Sequence, residues 1–127
     1  MTDSLPRLHQ IAQHADDLGR AVTFYRDVLG FPLIARFDPP GLAFFDLGNV
    51  RLLLETSAPS AVLYIEVLDI TARRDGLVQQ GVQFVDEPHM IYRDADGTFG
   101  PAGTEEWMTF FRDSEENLVG LVERRLN

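Results

Sequence analysis

The chain has 127 residues and no cysteine, so it fits one domain and cannot form disulfides or thiolate metal sites. Its 11 basic residues, all of them arginine, are outnumbered by 20 acidic ones, and the net charge of −9 argues against nucleic acid and anionic membranes as partners. The N-terminus, residues 1–7, carries Asp3 and Pro6 and lacks the apolar core of a signal peptide, and no apolar run nears the roughly 20 residues of a membrane span. These features predict a cytoplasmic protein.

The first half of the chain predicts a strand, a helix and three further strands. The strand that begins near Gln10 ends at Asp17, which can cap a helix whose apolar positions recur every three or four residues up to Leu29. Gly30 is expected to end this helix. The three strands that follow, separated by turn residues, are expected at 33–37, 42–47 and 50–55.

The second half repeats this pattern weakly. Apolar and polar residues alternate over 62–68, and Asp69 can cap a second helix that ends at Gly81. The strands expected after this helix are 82–85 continuing toward Tyr92, then 107–112, then 118–123. Each half is therefore expected to be a βαβββ module.

Two such modules predict an α+β fold, with module one at about 8–57 and module two at about 61–125. The second copy is about fifteen residues longer, and the polar, glycine-rich segment 93–106 accounts for this as a long loop, either a lid or disordered. One module alone buries too little apolar surface to be stable. The two curved, mixed sheets are therefore expected to close on each other as a single domain around a trough, which is the default ligand site.

Two motifs carry a resemblance to a known family. The first is D-L at 17–18 followed by F-Y-R-D-V-L-G-F at 24–31, and the second is F-F-R-D-S-E-E-N-L at 110–118. Together they resemble the vicinal oxygen chelate superfamily of glyoxalases, bleomycin-resistance proteins and extradiol dioxygenases. In the second motif Ser114 stands where the family usually has proline, and Glu116 where it has glycine. The resemblance implies a glyoxalase-like fold over nearly the whole chain but no single reaction, because this fold hosts several chemistries.

The resemblance also implies four metal-ligand positions, one on the first and one on the last strand of each module. In this sequence they fall on Gln10, Val62, Leu52 or Leu53, and Gly120. The side chains of leucine, valine and glycine cannot ligate a metal, whereas a divalent ion takes several oxygen or nitrogen ligands. We therefore expect no metal or other cofactor at the usual site, which puts metal-dependent lyase or dioxygenase chemistry in doubt.

Six side chains are candidates for contact with a ligand in the trough: Gln10, His14, Tyr64, Glu66, His89 and Trp107. The two histidines and Glu66, with Gln10, have the chemistry of a displaced divalent-metal site, and His89 and Glu66 are alternatively a metal-free acid–base pair. Each candidate also has a purely structural interpretation. The histidines can bond backbone groups or lie on the surface, Glu66 can be solvated, and the two aromatic residues can pack on the sheet.

Two functions are compatible with this sequence. The first is a binding module that holds a small neutral or cationic organic molecule without a metal, as the resemblance to the bleomycin-resistance branch implies. The alternative is a lyase- or dioxygenase-type enzyme with a rearranged metal or acid–base site. We also expect a homodimer, since Leu52, Leu53 and Leu54 give one strand two apolar faces and such a strand is covered on both sides. The loop then closes over the trough with Phe99 at its tip.

Overall fold

The computed structural model describes residues 8–126, and they form the predicted α+β fold of two βαβββ modules. The chain divides into two compact units, one ending at Ala61 and the other beginning at Val62. Each unit is a four-stranded mixed sheet with one helix packed on one face. None of the helices within 8–126 has the length and apolar content to cross a membrane.

The first unit contains β1 (Gln10–His14), α1 (Leu18–Thr23), β2 (Leu33–Phe37), β3 (Leu42–Asp46) and β4 (Arg51–Glu55). Its strands lie in the order β1-β4-β3-β2, with β1 parallel to β4 and the other pairs antiparallel. Successive side chains of a strand alternate between the two faces of the sheet. The helix side of this sheet holds a fully buried core of Tyr25, Phe45, Leu52 and Leu54.

Strand β4 is buried on both faces within the single chain. Leu53 points away from the helix, opposite to Leu52 and Leu54, yet it is only 8% exposed. Its burial therefore does not require a second copy of the chain. The homodimer stays a prediction, but the two apolar faces of this strand no longer support it.

The first helix begins where the sequence predicts and ends in a wider turn. The Asp17 carboxylate accepts a hydrogen bond from the backbone N–H of Arg20, at 3.0 Å, and so caps the helix. The helix continues as a π-helical segment, Phe24–Val28, before Gly30 ends it with a φ of 77° that favours glycine. The spacing of apolar residues predicts the helix and its ends but not this one-residue widening.

The second unit contains β5 (Leu63–Glu66), α2 (Ile70–Gln79), β6 (His89–Asp94), β7 (Thr104–Arg112) and β8 (Leu118–Arg125). Its strand order, β5-β8-β7-β6, repeats that of the first unit, again with one parallel pair, β5 and β8. Asp69 caps α2 by accepting from the Ala72 N–H at 3.0 Å. Glu123 of β8 accepts from the Ile70 N–H at 2.8 Å, which fixes the start of α2 to the sheet.

The strand expected from 82–85 toward Tyr92 is wrong in its first half. Only Phe84 forms a bridge, to Phe111, and β6 begins at His89. The Asp86 carboxylate accepts from the backbone N–H of Phe110 at 2.9 Å, so a side chain takes the donor that a continuous strand would have used. Strand propensity does not reveal that the Asp86 carboxylate replaces a backbone carbonyl as the acceptor for this N–H group.

The long loop is shorter than the expected 93–106, because both of its ends belong to strands. Arg93 pairs with Glu105, and Asp94 with Thr104, so the connection between β6 and β7 spans 95–103. Asp94 is almost fully buried, and its two carboxylate oxygens accept from the N–H groups of Thr98 and Phe99 at 2.7 and 2.8 Å. The buried carboxylate therefore ties the backbone of the loop to the end of β6.

The turn between β7 and β8 is the motif in which Ser114 and Glu116 depart from the family pattern. Buried Asp113 accepts from the N–H groups of Glu115 and Asn117, both at 2.8 Å, and from the Asn117 side-chain amide at 2.9 Å. Glu116 has a φ of 69°, a left-handed conformation that glycine adopts at lower cost. The hydrogen bonds to Asp113 thus stabilise a turn in which the backbone of Glu116 is strained.

Candidate functional site

Each sheet has a helix-free face, defined as the side opposite its helix. In the second sheet the residues that the strand register assigns to this face include Tyr64 and Glu66 of β5, Leu118, Gly120, Val122 and Arg124 of β8, Glu106, Met108, Phe110 and Arg112 of β7, and His89 and Tyr92 of β6. Three of the six sequence candidates, Tyr64, Glu66 and His89, therefore share one face of one sheet. The face combines aromatic, aliphatic and charged groups.

Two aromatic rings meet over Gly120 on this face. The rings of Tyr64 and Phe110 lie edge to face, with centroids 5.9 Å apart and an interplanar angle of 83°. A Cβ atom on Gly120 would lie 2.8 Å from Cε2 of Phe110 and 3.3 Å from Cδ2 of Tyr64. The two rings thus lean into space that a side chain at position 120 would need.

Glu66 and His89 lie in the same row of this face but at its two ends. Glu66 pairs with Val122, Val122 with Met108, and Met108 with His89. Three steps between neighbouring strands separate their Cα atoms by about 14 Å. The Nδ1 atom of His89 lies 2.9 Å from the Glu87 carbonyl oxygen, to which it donates, leaving Nε2 as the acceptor in the neutral ring. The two candidates are therefore not a directly hydrogen-bonded acid–base pair.

Gln10 lies on the helix-free face of the first sheet and is bound to a residue that the sequence analysis missed. Arg51 pairs with Gln10 in register and donates to its Oε1 from Nε at 3.2 Å and from Nη2 at 2.7 Å. The Arg51 guanidinium also lies over the ring of Phe44, 5.3 Å from its centroid. The amide oxygen of Gln10 is thus occupied by a cation.

His14 connects the end of β1 to the segment after β4. Its Nε2 lies 2.6 Å from Oδ1 of Asp16, and its Nδ1 lies 3.2 Å from the carbonyl oxygen of Ala58. Both partners only accept hydrogen bonds, so both are satisfied together when the ring is protonated. The hydrogen bond that the His14 ring donates to Asp16 accordingly raises the pKa of His14 above its ordinary value of 6.5, and the Ala58 carbonyl adds to the effect.

The raised pKa of His14 predicts a pH-dependent contribution to stability. Because the pKa of His14 is higher in the folded chain than in the unfolded chain, the protonated ring stabilises the fold. This contribution is present in full at a pH below the ordinary pKa of 6.5 and is lost as the pH rises through the raised pKa. We expect the Tm of the protein to exceed that of His14→Gln at about pH 5.5 and the difference to shrink by about pH 8.5. Thermal unfolding of both proteins across this range measures it, and parallel curves would contradict the expectation.

Trp107 lies on the helix side of the second sheet, opposite to Tyr64, Glu66 and His89. It pairs with Glu123, whose side chain contacts the start of α2. Its indole N–H donates to Glu105 at 2.9 Å, and the Arg125 guanidinium lies 4.1 Å from the ring centroid. These contacts match the structural interpretation of Trp107 as a residue that packs on the sheet.

The residues at the superfamily's metal-ligand positions do not fit a metal ion. Gly120 has no side chain, and two rings lean over it. Gln10 already accepts two hydrogen bonds from Arg51. Within residues 8–126, no three His, Asp or Glu side chains are grouped so that they could hold a metal, which includes the displaced set of His14, Glu66 and His89.

Comparison with known proteins agrees with this fold. The chain matches the Glyoxalase/Bleomycin resistance protein/Dioxygenase superfamily over residues 7–121 and belongs to that superfamily. Similar structures include the antibiotic-binding protein TnmS3 from Streptomyces sp. CB03234, with 18% identity, a TM-score of 0.77 and coverage of 96% of this chain and 98% of that one. A superfamily member from Sphaerobacter thermophilus has 22% identity, a TM-score of 0.72 and coverage of 94% and 98%. At such identities the likeness shows the fold alone. None of the curated proteins matches this chain.

Phe44, Phe110 and Arg51 were not among the site residues predicted from the sequence, although a signal for the two phenylalanines was present. Each module carries a Phe-Phe pair, at 44–45 and 110–111. Because side chains alternate along a strand, one ring of each pair joins the helix-side core and the other reaches the helix-free face. Phe45 and Phe111 are fully buried, which leaves Phe44 and Phe110 for the other face. No comparable pattern marked Arg51.

Proposed function

We propose that this chain binds a small organic molecule on the helix-free face of a sheet, without a metal ion at the superfamily's usual position. The proposal rests on the residues that occupy the superfamily's metal-ligand positions in this chain. Gly120 offers no ligand atom, and Leu53 and Val62 offer none either. The oxygen of Gln10 is held by Arg51. A ligand on such a face would therefore be bound by direct contact with side chains and not through a metal ion.

The chemistry of the faces supports an organic ligand with aromatic character. Tyr64 is 58% exposed although its ring contacts Phe110 edge to face, so the exposed part of the ring can meet a ligand. Exposed aromatic surface with a few polar groups is typical of small-molecule sites. The net charge of −9 favours a neutral or cationic molecule over an anion. The similar structure of TnmS3, described as an antibiotic-binding protein, provides a precedent within the same fold.

The alternative function, a lyase- or dioxygenase-type enzyme, needs either a metal set or a coupled acid and base. The separation of Glu66 and His89 by two intervening strands does not provide the coupled pair. Both ring nitrogens of His14 face hydrogen-bond acceptors, at 2.6 and 3.2 Å, so neither nitrogen is directed at open space where a metal could bind. The metal-free binding module is therefore the function that we propose.

Metal analysis together with a binding assay tests this proposal. We expect protein purified without chelator to contain only substoichiometric Ni, Zn, Fe, Mn or Co. We expect it to bind at least one of three tricyclic probes, acridine, proflavine or acridine carboxylate, with the same affinity before and after EDTA treatment. Stoichiometric metal, or probe binding that EDTA abolishes and added metal restores, would overturn the proposal.

A further inference from the structure

The ring pair over Gly120 forms an aromatic platform, defined here as Tyr64, Phe110 and the backbone of Gly120. The platform exists because position 120 lacks a Cβ, which would come within 2.8 Å of the Phe110 ring. Tyr64 is the exposed member, whereas Phe110 is half-buried beneath it. A flat, apolar molecule that approaches this face therefore meets the Tyr64 ring first.

A carboxylate lies beside the platform on the same strand. Glu66 follows Tyr64 by two residues on β5, so both project from the helix-free face about 7 Å apart. The Glu66 side chain is exposed, and within residues 8–126 it forms neither an ion pair nor a hydrogen bond. Its negative charge is therefore available to a ligand.

The other charges on this face are already engaged. Glu106 lies 3.6 Å from the Arg124 guanidinium, and the same guanidinium donates to the carbonyl oxygen of Phe99 at 3.2 Å. His89 is about 14 Å from Glu66, at the far edge of the sheet. Arg112 lies in the row on the other side of the platform and donates to the Glu116 carbonyl oxygen at 3.2 Å. Glu66 is thus the carboxylate beside the platform, and the side of the platform toward Glu66 is the one that attracts a cation.

We infer that the platform and Glu66 together select a planar aromatic compound that carries a basic amine, with Glu66 as the residue that determines specificity for the cation. The inference rests on the proposed function and names the ligand class for the second sheet. A cationic aromatic ring stacks on Tyr64, whose face attracts positive charge, while its ammonium group meets the Glu66 carboxylate. An anionic ring of the same size stacks equally well but is repelled by Glu66.

Three tricyclic probes of similar shape separate these contributions: the cation proflavine, neutral acridine and the anion acridine carboxylate. Fluorescence titration at neutral pH measures their Kd. We expect proflavine to bind about tenfold or more tightly than acridine carboxylate. Glu66→Gln should weaken proflavine binding by about threefold to fivefold and leave acridine unchanged. Tyr64→Ala should weaken all three probes by about fivefold or more.

Asp75→Asn on the exposed side of α2 is the matched control, because it removes the same charge from a position on the opposite side of the sheet. It should leave every Kd unchanged. If Asp75→Asn reproduces the effect of Glu66→Gln, net charge rather than the site governs binding and the inference is overturned. Equal binding of all three probes, or of none, also overturns it. Equal, EDTA-resistant binding would still leave the proposed metal-free function intact.

Discussion

Replacing Asp113 by alanine is expected to lower the free energy of unfolding by roughly 2–4 kcal/mol. Asp113 is 4% exposed, and its carboxylate accepts from the Glu115 N–H, the Asn117 N–H and the Asn117 side-chain amide. Without the carboxylate these donors lose their partner in a buried turn, and each buried donor left unpaired is costly. The turn also sets the register in which β8 returns along β7.

Urea unfolding measures this effect as a lower midpoint with an unchanged slope. Glu116→Gly in the same turn is the matched control and should act in the opposite direction. Glu116 has a φ of 69°, and glycine relieves that strain, so the free energy of unfolding should rise by about 0.5–1 kcal/mol after the greater freedom of glycine in the unfolded chain is included. A loss below about 1 kcal/mol for Asp113→Ala would show that the turn forms without its carboxylate.

The sequence predicted the helices and most strands because local chemistry fixes them. Asp17 and Asp69 cap the two helices through bonds to residues three positions along the chain, and such caps are visible in a sequence. β2 was predicted to the residue, since turn residues bound it on both sides. The first half of the strand expected toward Tyr92 failed because Asp86 bonds Phe110, 24 residues away.

The site was less predictable because it depends on which face a side chain takes and on what that side chain meets. The alternation of side chains along a strand predicted that Tyr64 and Glu66 share one face of the sheet, as they do. It could not show that Trp107 lies on the opposite face from His89, because these two residues belong to different strands. That difference follows from the register of β6 against β7, where an irregularity separates Met90 from Tyr92. A single sequence does not encode such a shift in any short motif.

Asp94→Ala is expected to release the 95–103 loop and to lower the free energy of unfolding by roughly 1–3 kcal/mol. The buried carboxylate holds the N–H groups of Thr98 and Phe99, and water reaches these groups once the carboxylate is gone. The loop should then exchange its amide hydrogens faster, and chymotrypsin should cleave it after Phe99. Hydrogen exchange of the intact protein and of the variant measures the release, and unchanged protection at Thr98 and Phe99 would contradict it.

Phe99→Gly separates the loop's order from its role as a lid. Phe99 is 65% exposed and touches the ring of Tyr92 on the helix-free face, with centroids 5.9 Å apart, while its carbonyl oxygen accepts from Arg124. The substitution keeps that backbone contact and removes the ring, so we expect a nearly unchanged Tm together with weaker proflavine binding. A Tm that falls by several degrees would identify Phe99 as a packing residue of the fold, because an exposed ring that only covers a ligand contributes little to the stability of the empty protein.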